Sequence, residues 1–147
     1  MDLKDLYQDI ILDHNKAPRN FGKCSSCSHS AEGLNPLCGD ELIVYLNIED
    51  GVIDKVTFEG TGCAISIASA SLMTERLQGK PLDEAEKVFG VMHDMLVKDD
   101  ADTDLASLGK LGALAGVKEY PSRVKCASLC WHALMAAINN EAIATTE

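Results

Sequence analysis

A chain of 147 residues, 46% apolar and 24% charged, has the size and mixture of one globular domain over residues 1–147, not of a disordered protein. Its 23 acidic against 13 basic residues give a net charge of −10 and a pI near 4.7, which argues against a nucleic-acid partner, and 5% aromatics offer few platforms for stacking bases. No stretch approaches the roughly 18 apolar residues of a membrane span, and the N-terminus lacks the apolar run of a signal peptide, so the expected location is cytoplasmic, with no membrane partner.

Leu3, Leu6, Tyr7, Ile10 and Ile11 recur at helical spacing and predict a helix over residues 2–14, which ends ahead of Pro18 because a residue preceding proline avoids helical angles. From Asn20 to Gly39 the chain is rich in Gly, Ser, Asn and Cys without a sustained period, and reads as loops with one short edge strand near His29–Leu34. Leu42, Val44, Leu46 and Ile48 then alternate, Glu49-Asp50-Gly51 offers a turn, and Val52, Asp54, Val56 and Phe58 alternate again, which predicts an antiparallel hairpin. Ile43 and Tyr45 add apolar residues to the other face of the first strand, so one face is expected to be buried and the other partly wet.

After Gly60-Thr61-Gly62 the period lengthens. Ile65, Ala68, Leu72 and Met73 mark a helix to about Leu77, with small residues on its other faces. Gly79-Lys80-Pro81 breaks the chain, and Leu82, Ala85, Val88, Phe89, Met92 and Leu96 define a second amphipathic helix, in which Met92 and Met95 read as core filling. Residues 98–104 read as a solvated acidic loop and residues 105–117 as a short apolar segment with three glycines. Pro121 can open a last helix over residues 122–140, with Ala127, Cys130, Trp131, Leu134 and Ile138 inward, and the terminal Thr-Thr-Glu is expected to fray. Strands followed by helices, instead of alternating with them, predict an α+β fold: a small antiparallel sheet of about three strands covered on one face by a cluster of helices.

Six cysteines in a chain this long call for an explanation, because its core needs no staples and a reducing cytosol keeps thiols free; metal ligation or nucleophilic chemistry is expected before disulfides. Cys38 and Asp40 lie in Asn35-Pro36-Leu37-Cys38-Gly39-Asp40, a tight turn able to aim two side chains at one point. Cys63 follows Gly60-Thr61-Gly62 at a helix N-terminus, where the partial positive charge favours a thiolate, and Cys126 is flanked by Arg123 and Lys125, whose charges act the same way. Three thiolates and one carboxylate suit a tetrahedral metal site. Spacing alone leaves that reading and ordinary buried cysteines both open, since the long gaps match no zinc-finger pattern.

Four blocks in register, DHNKAPRNFG, NPLCGDE, FEGTGCAISIASASLM and RVKCASLCW, cover nearly the whole chain and resemble the IscU-like, NifU-N-terminal-domain-like family of iron-sulfur cluster assembly proteins. In scaffold-type members a histidine precedes the third cysteine and the gap before it is shorter; here Lys125 holds that place and the Cys63 to Cys126 segment is longer, which resembles the SufU branch. The resemblance implies zinc held by Cys38, Asp40, Cys63 and Cys126. It also implies Cys38 as the group that accepts persulfide sulfur from a SufS-type cysteine desulfurase, a transpersulfurase-like role, and passes it to downstream cluster-assembly or acceptor proteins. The alternative is a scaffold that takes iron, builds a [2Fe–2S] cluster on the same four residues and delivers it to apoproteins. Three thiolates and a carboxylate around Zn²⁺ leave a formal charge of −2, which Arg123 and Lys125 are placed to offset.

Cys24-Ser25-Ser26-Cys27, with His29 two residues on, stands outside that resemblance; it reads first as an incidental exposed pair, then as a redox or sulfur-relay pair, and last as a second metal site. Cys130, one helical turn beyond Cys126, reads as core packing, His14 as structural or partner-contacting, and His93 and His132 as surface or half-buried positions.

Overall fold

The computed structural model describes residues 3–36, 38–97 and 108–145. The first helical pattern becomes α1 (Leu3–Lys16), which runs two residues past its expected end: Pro18 disfavours helical angles at Ala17, yet the Ala17 amide still closes on the Asp13 carbonyl at 2.9 Å.

Strands β1 (His29–Asn35), β2 (Asp40–Glu49) and β3 (Val52–Thr61) pair antiparallel, with β2 in the middle. Asp50 and Gly51 adopt φ of 52° and 75° between β2 and β3, the two positive angles a two-residue hairpin turn demands. The even alternation expected along β3 breaks halfway. Asn47 pairs with Lys55 but Ile48 with Ile53, so a bulge shifts the register, and Ile53, not Val52, joins Val56 and Phe58 in the core while Asp54 is exposed.

A fourth strand, β4 (Ile143–Thr145), lies parallel to β1, giving the order β3-β2-β1-β4 and a mixed sheet in place of the three antiparallel strands expected. The reason is the open edge of β1: Glu32 donates its amide to the Ala142 carbonyl at 2.8 Å, and the chain continues along that edge through Thr145, where fraying was expected. Thr146 and Glu147 lie outside the described residues.

The helices cover the sheet face formed by Leu42, Val44, Leu46, Ile53, Val56 and Phe58, all fully buried. Helix α2 (Ala64–Leu77) lies between α1 and the last helix, α4 (Pro121–Ile138), and α4 in turn packs on β1 and β2. Enclosed on several sides, α2 uses small side chains whose hydroxyls are satisfied by neighbours. Ser69 Oγ donates to the Ala127 carbonyl at 2.6 Å, Ser66 Oγ to the Cys126 carbonyl at 3.2 Å, and Ser71 Oγ is 2.7 Å from His14 Nδ1. Helix α3 (Leu82–Val97) buries Ala85, Val88, Met92, Met95 and Leu96, so both methionines fill the core.

The apolar segment that follows is a 3-10 helix, Gly109–Glu119, and the expected acidic loop at 98–104 lies outside the described residues. Pro121 is the first residue of α4, which ends at Ile138 because Asn139 and Asn140 leave helical angles, Asn140 at φ 60°. Among the described residues no helix is long and apolar enough to cross a membrane.

Candidate metal centre

Three elements converge at one end of the sheet. The β1–β2 connection is short because Asn35, the last residue of β1, pairs directly with Asp40, the first of β2, and the Asn35 carbonyl accepts the amides of Cys38 (3.2 Å) and Gly39 (2.9 Å). The turn exposes the Cys38 thiol, while Asp40, only 1% exposed, points into the protein. Cys63 caps α2, its sulfur accepting the Ser66 amide at 3.5 Å, and Cys126 lies fully buried in the second turn of α4.

The donor atoms of Cys38, Asp40 and Cys126 all lie within 4.8 Å of one another, the one such cluster of three or more among the described residues. The Cys63 thiol stands outside that group, near enough to Cys126 to push that thiol's pKa up. The donor chemistry fits a small thiophilic cation: tetrahedral ligands at Zn–S distances of about 2.3 Å stand roughly 4 Å apart. Zinc, when bound in such a set, holds thiolates without redox chemistry of its own.

The charges around these donors are arranged by hydrogen bonds. Burial alone would raise the Asp40 carboxyl, but the Cys63 amide at 2.9 Å, Ser66, Cys126 and Asn35 outweigh it and hold the carboxyl below its ordinary value. Cys126 goes the other way. Burial, then its bonds with Cys63, Asp40 and Cys38, push its thiol well up, against the expectation that Arg123 and Lys125 would favour a thiolate there. Arg123 does lie beside the Cys63 and Cys126 sulfurs, which raise its own pKa, whereas Lys125 is exposed.

Three supporting residues escape sequence reasoning. Asn35, 1% exposed, donates from Nδ2 to Asp40 Oδ2 at 3.2 Å and to Cys126 Sγ at 3.7 Å, and Ser66 ties α2 to α4 behind the thiols. Gly62 gives the carboxylate room, because a Cβ there would stand 2.8 Å from Asp40 Oδ1. Asn35 could have been found by period: the inward residues of β1 are Ala31, Gly33 and Asn35.

The other candidates separate cleanly. Cys130 is fully buried against Ser69 Oγ at 3.4 Å, and burial pushes its thiol up to about 12, as suits core packing. His14 is 1% exposed and bonded to Ser71, a structural position; His93 is exposed, and His132 is half-buried against Phe89. Cys24 and Cys27 overturn an expectation, for they form a disulfide and Cys24 is only 5% exposed. The turn at residues 25–26 brings their Cα atoms to 5.5 Å, within bridging range, so proximity overrides the general preference for free thiols.

The chain is similar in sequence and fold to known proteins. The zinc-dependent sulfurtransferase SufU of Bacillus subtilis is 38% identical over 95% of this chain and 93% of its own length. The iron-sulfur cluster assembly scaffold protein IscU of Thermotoga maritima is 37% identical over 94% of this chain and 96% of its own. A solved structure from Fervidobacterium islandicum, described as a cluster assembly scaffold for the SUF system, superposes with a TM-score of 0.84 at 35% identity, covering 93% of this chain and 99% of the other. The sequence model of the NifU-like N-terminal domain matches residues 6–140, and with the fold and the donor cluster in place the chain belongs to that family of iron-sulfur cluster assembly proteins.

Proposed function

We propose that the protein is a zinc-dependent sulfur-transfer protein of the cytoplasm that accepts persulfide sulfur from a SufS-type cysteine desulfurase at Cys38 and hands it on for cluster assembly. The carrying observation is the unequal exposure of the donors: Cys38 faces solvent, while Asp40 and Cys126 beside it are buried. A buried pair can hold an ion in place while the exposed thiol meets a partner. Cys38, Asp40, Cys63 and Cys126 are the ligand set, with Cys63 turning from the Ser66 amide toward the other donors. The name of the Bacillus subtilis relative supports zinc and sulfur transfer, as does Lys125 directly before the third cysteine.

In the transfer step the Cys38 thiolate attacks the terminal sulfur of the enzyme persulfide. A bond forms from Cys38 to that sulfur, the persulfide S–S bond breaks, and the desulfurase cysteine leaves as thiolate. Arg123 sits where it offsets negative charge on Cys63 and Cys126.

Cys38→Ser is the direct test. Mass spectrometry after incubation with desulfurase and cysteine should show one added sulfur on Cys38 in the unsubstituted protein and none anywhere in the variant. Undiminished uptake by the variant would contradict the assignment.

A further inference from the structure

Of the six cysteines, Cys24 and Cys27 belong neither to the metal centre nor to the helical core. They precede His29 at the start of β1, whereas Asn35 and the metal centre stand at its end. Across the 7 residues of that strand, at 3.3 Å per residue, the separation is about 20 Å, too far for sulfur to pass between the sites within one molecule.

The loop that carries them is tied down on both sides without the bridge. On one side the Gly22 amide donates to the Phe58 carbonyl at 2.7 Å, the Phe58 amide to the Asn20 carbonyl at 3.1 Å, and the Phe21 ring packs edge-on against Phe58. On the other, Ser28 Oγ accepts the Ile48 amide at 3.1 Å. A bridge between residues three apart closes so short a loop that it constrains the unfolded chain little, so stapling is a weak account of it.

The two sulfurs are unequal. Cys24 is buried, whereas Cys27 is half-buried between exposed Ser26 and Ser28. The sequence around them also runs against the overall charge. From His14 to Ala31 there is no Asp or Glu in a molecule of net charge −10, and although Arg19 in that stretch is paired with Asp13 and Glu75, exposed Lys23 adjoins Cys24.

We propose that Cys24 and Cys27 form a second, metal-independent thiol–disulfide exchange site whose reaction partner is a small anionic thiol of the glutathione class, with Cys27 as the sulfur attacked. The incoming thiolate bonds to the Cys27 sulfur, the bond to Cys24 breaks, and Cys24 leaves as a thiolate that takes a proton from water. A second small thiolate then attacks the mixed disulfide, releasing the Cys27 thiolate and a small-molecule disulfide. Two electrons pass from two small thiols to the protein, and an excess of the small disulfide drives the same steps backward.

The test equilibrates the zinc-loaded protein with glutathione at a series of reduced-to-oxidised ratios, blocks free thiols by alkylation, and cleaves after Lys23 and Glu32 to isolate both cysteines from Cys38. The two thiols should pass together from wholly bridged to wholly alkylated across the series. Cys24→Ser should capture one glutathione at Cys27 under oxidising conditions, and Cys27→Ser should capture none at Cys24. Cysteamine, a cationic thiol, should reduce the bridge severalfold more slowly than glutathione, and Lys23→Glu should narrow that difference. A pair that stays bridged in excess reduced glutathione, or stays open in excess oxidised glutathione, overturns the proposal without recourse to any variant. Equal capture by the two single variants, or equal rates with the two thiols, contradicts the assigned sulfur or the assigned partner charge.

Discussion

Asn35 shows how much of the candidate centre rests on residues that ligate nothing. Its side-chain amide is the buried donor shared by Asp40 and Cys126, so Asn35→Ala leaves a carboxylate and a sulfur short of a partner while sparing all four proposed ligands. Zinc affinity, measured by competition with a chromophoric chelator, should fall about 10- to 100-fold, as removal of an outer partner of a metal ligand commonly does. An unchanged affinity would mean that the Cys63 amide, Ser66 and Cys126 hold Asp40 without Asn35. At this scale Cys38, Asp40, Cys63 and Cys126 stood out as candidates, because glycines, a helix start and flanking cations surround them, and the structure brings the donor atoms of Cys38, Asp40 and Cys126 together. Asn35 was not, since a polar residue before Pro36 reads as a chain break; only the strand period places it inward.

Helix α4 is the element that joins core to centre, carrying Cys126 and, a little more than one turn later, Trp131. The indole is 1% exposed and donates to Ser69 Oγ at 3.3 Å, so it links α4 to α2 as well as filling space. Trp131→Ala should cost about 3–5 kcal/mol in denaturant unfolding, the range for truncating a large buried aromatic. A loss below about 1 kcal/mol would show that the helix is packed otherwise. The long helices and the hairpin were legible because each repeats its period over many residues. The β3 bulge was not: Val52 and Ile53 are equally apolar, and only pairing against Ile48 decides which turns inward. The 3-10 helix left a readable trace that an α-helical template passes over, in Leu108, Leu111, Leu114 and Val117, buried at intervals of three, the period of that helix. Strand β4 has no comparable signal, because three residues, Ile143–Thr145, are too few to show a period and become a strand only where β1 offers an open edge.

The fold as a whole is sensitive to pH through His14, buried between α1 and α2. Burial, then the nearby Arg19 charge, lowers its pKa from the ordinary 6.5. Between that lowered value and 6.5 the unfolded chain binds a proton that the folded chain refuses, so stability rises with pH across this window. It is lost as pH falls from about 6.5 toward the folded value. Urea unfolding from neutral to mildly acidic pH should show that slope, and His14→Gln should flatten it without abolishing it, because burial of His132 shifts that residue the same way. A slope identical in the two proteins would remove His14 from the account.

Function at the same scale turns on what the donor cluster holds and which partner it serves. The core is extensive without metal, so the ion's expected part is chemistry at Cys38, and the relatives divide between a zinc-dependent sulfurtransferase and a cluster scaffold. The decisive measurement is the metal content of protein purified without added metal, taken together with turnover of a SufS-type desulfurase in its presence and absence. The account predicts one zinc per chain and strong stimulation of turnover that disappears with Cys38→Ser. A coloured, iron-loaded protein that leaves turnover unchanged would contradict it.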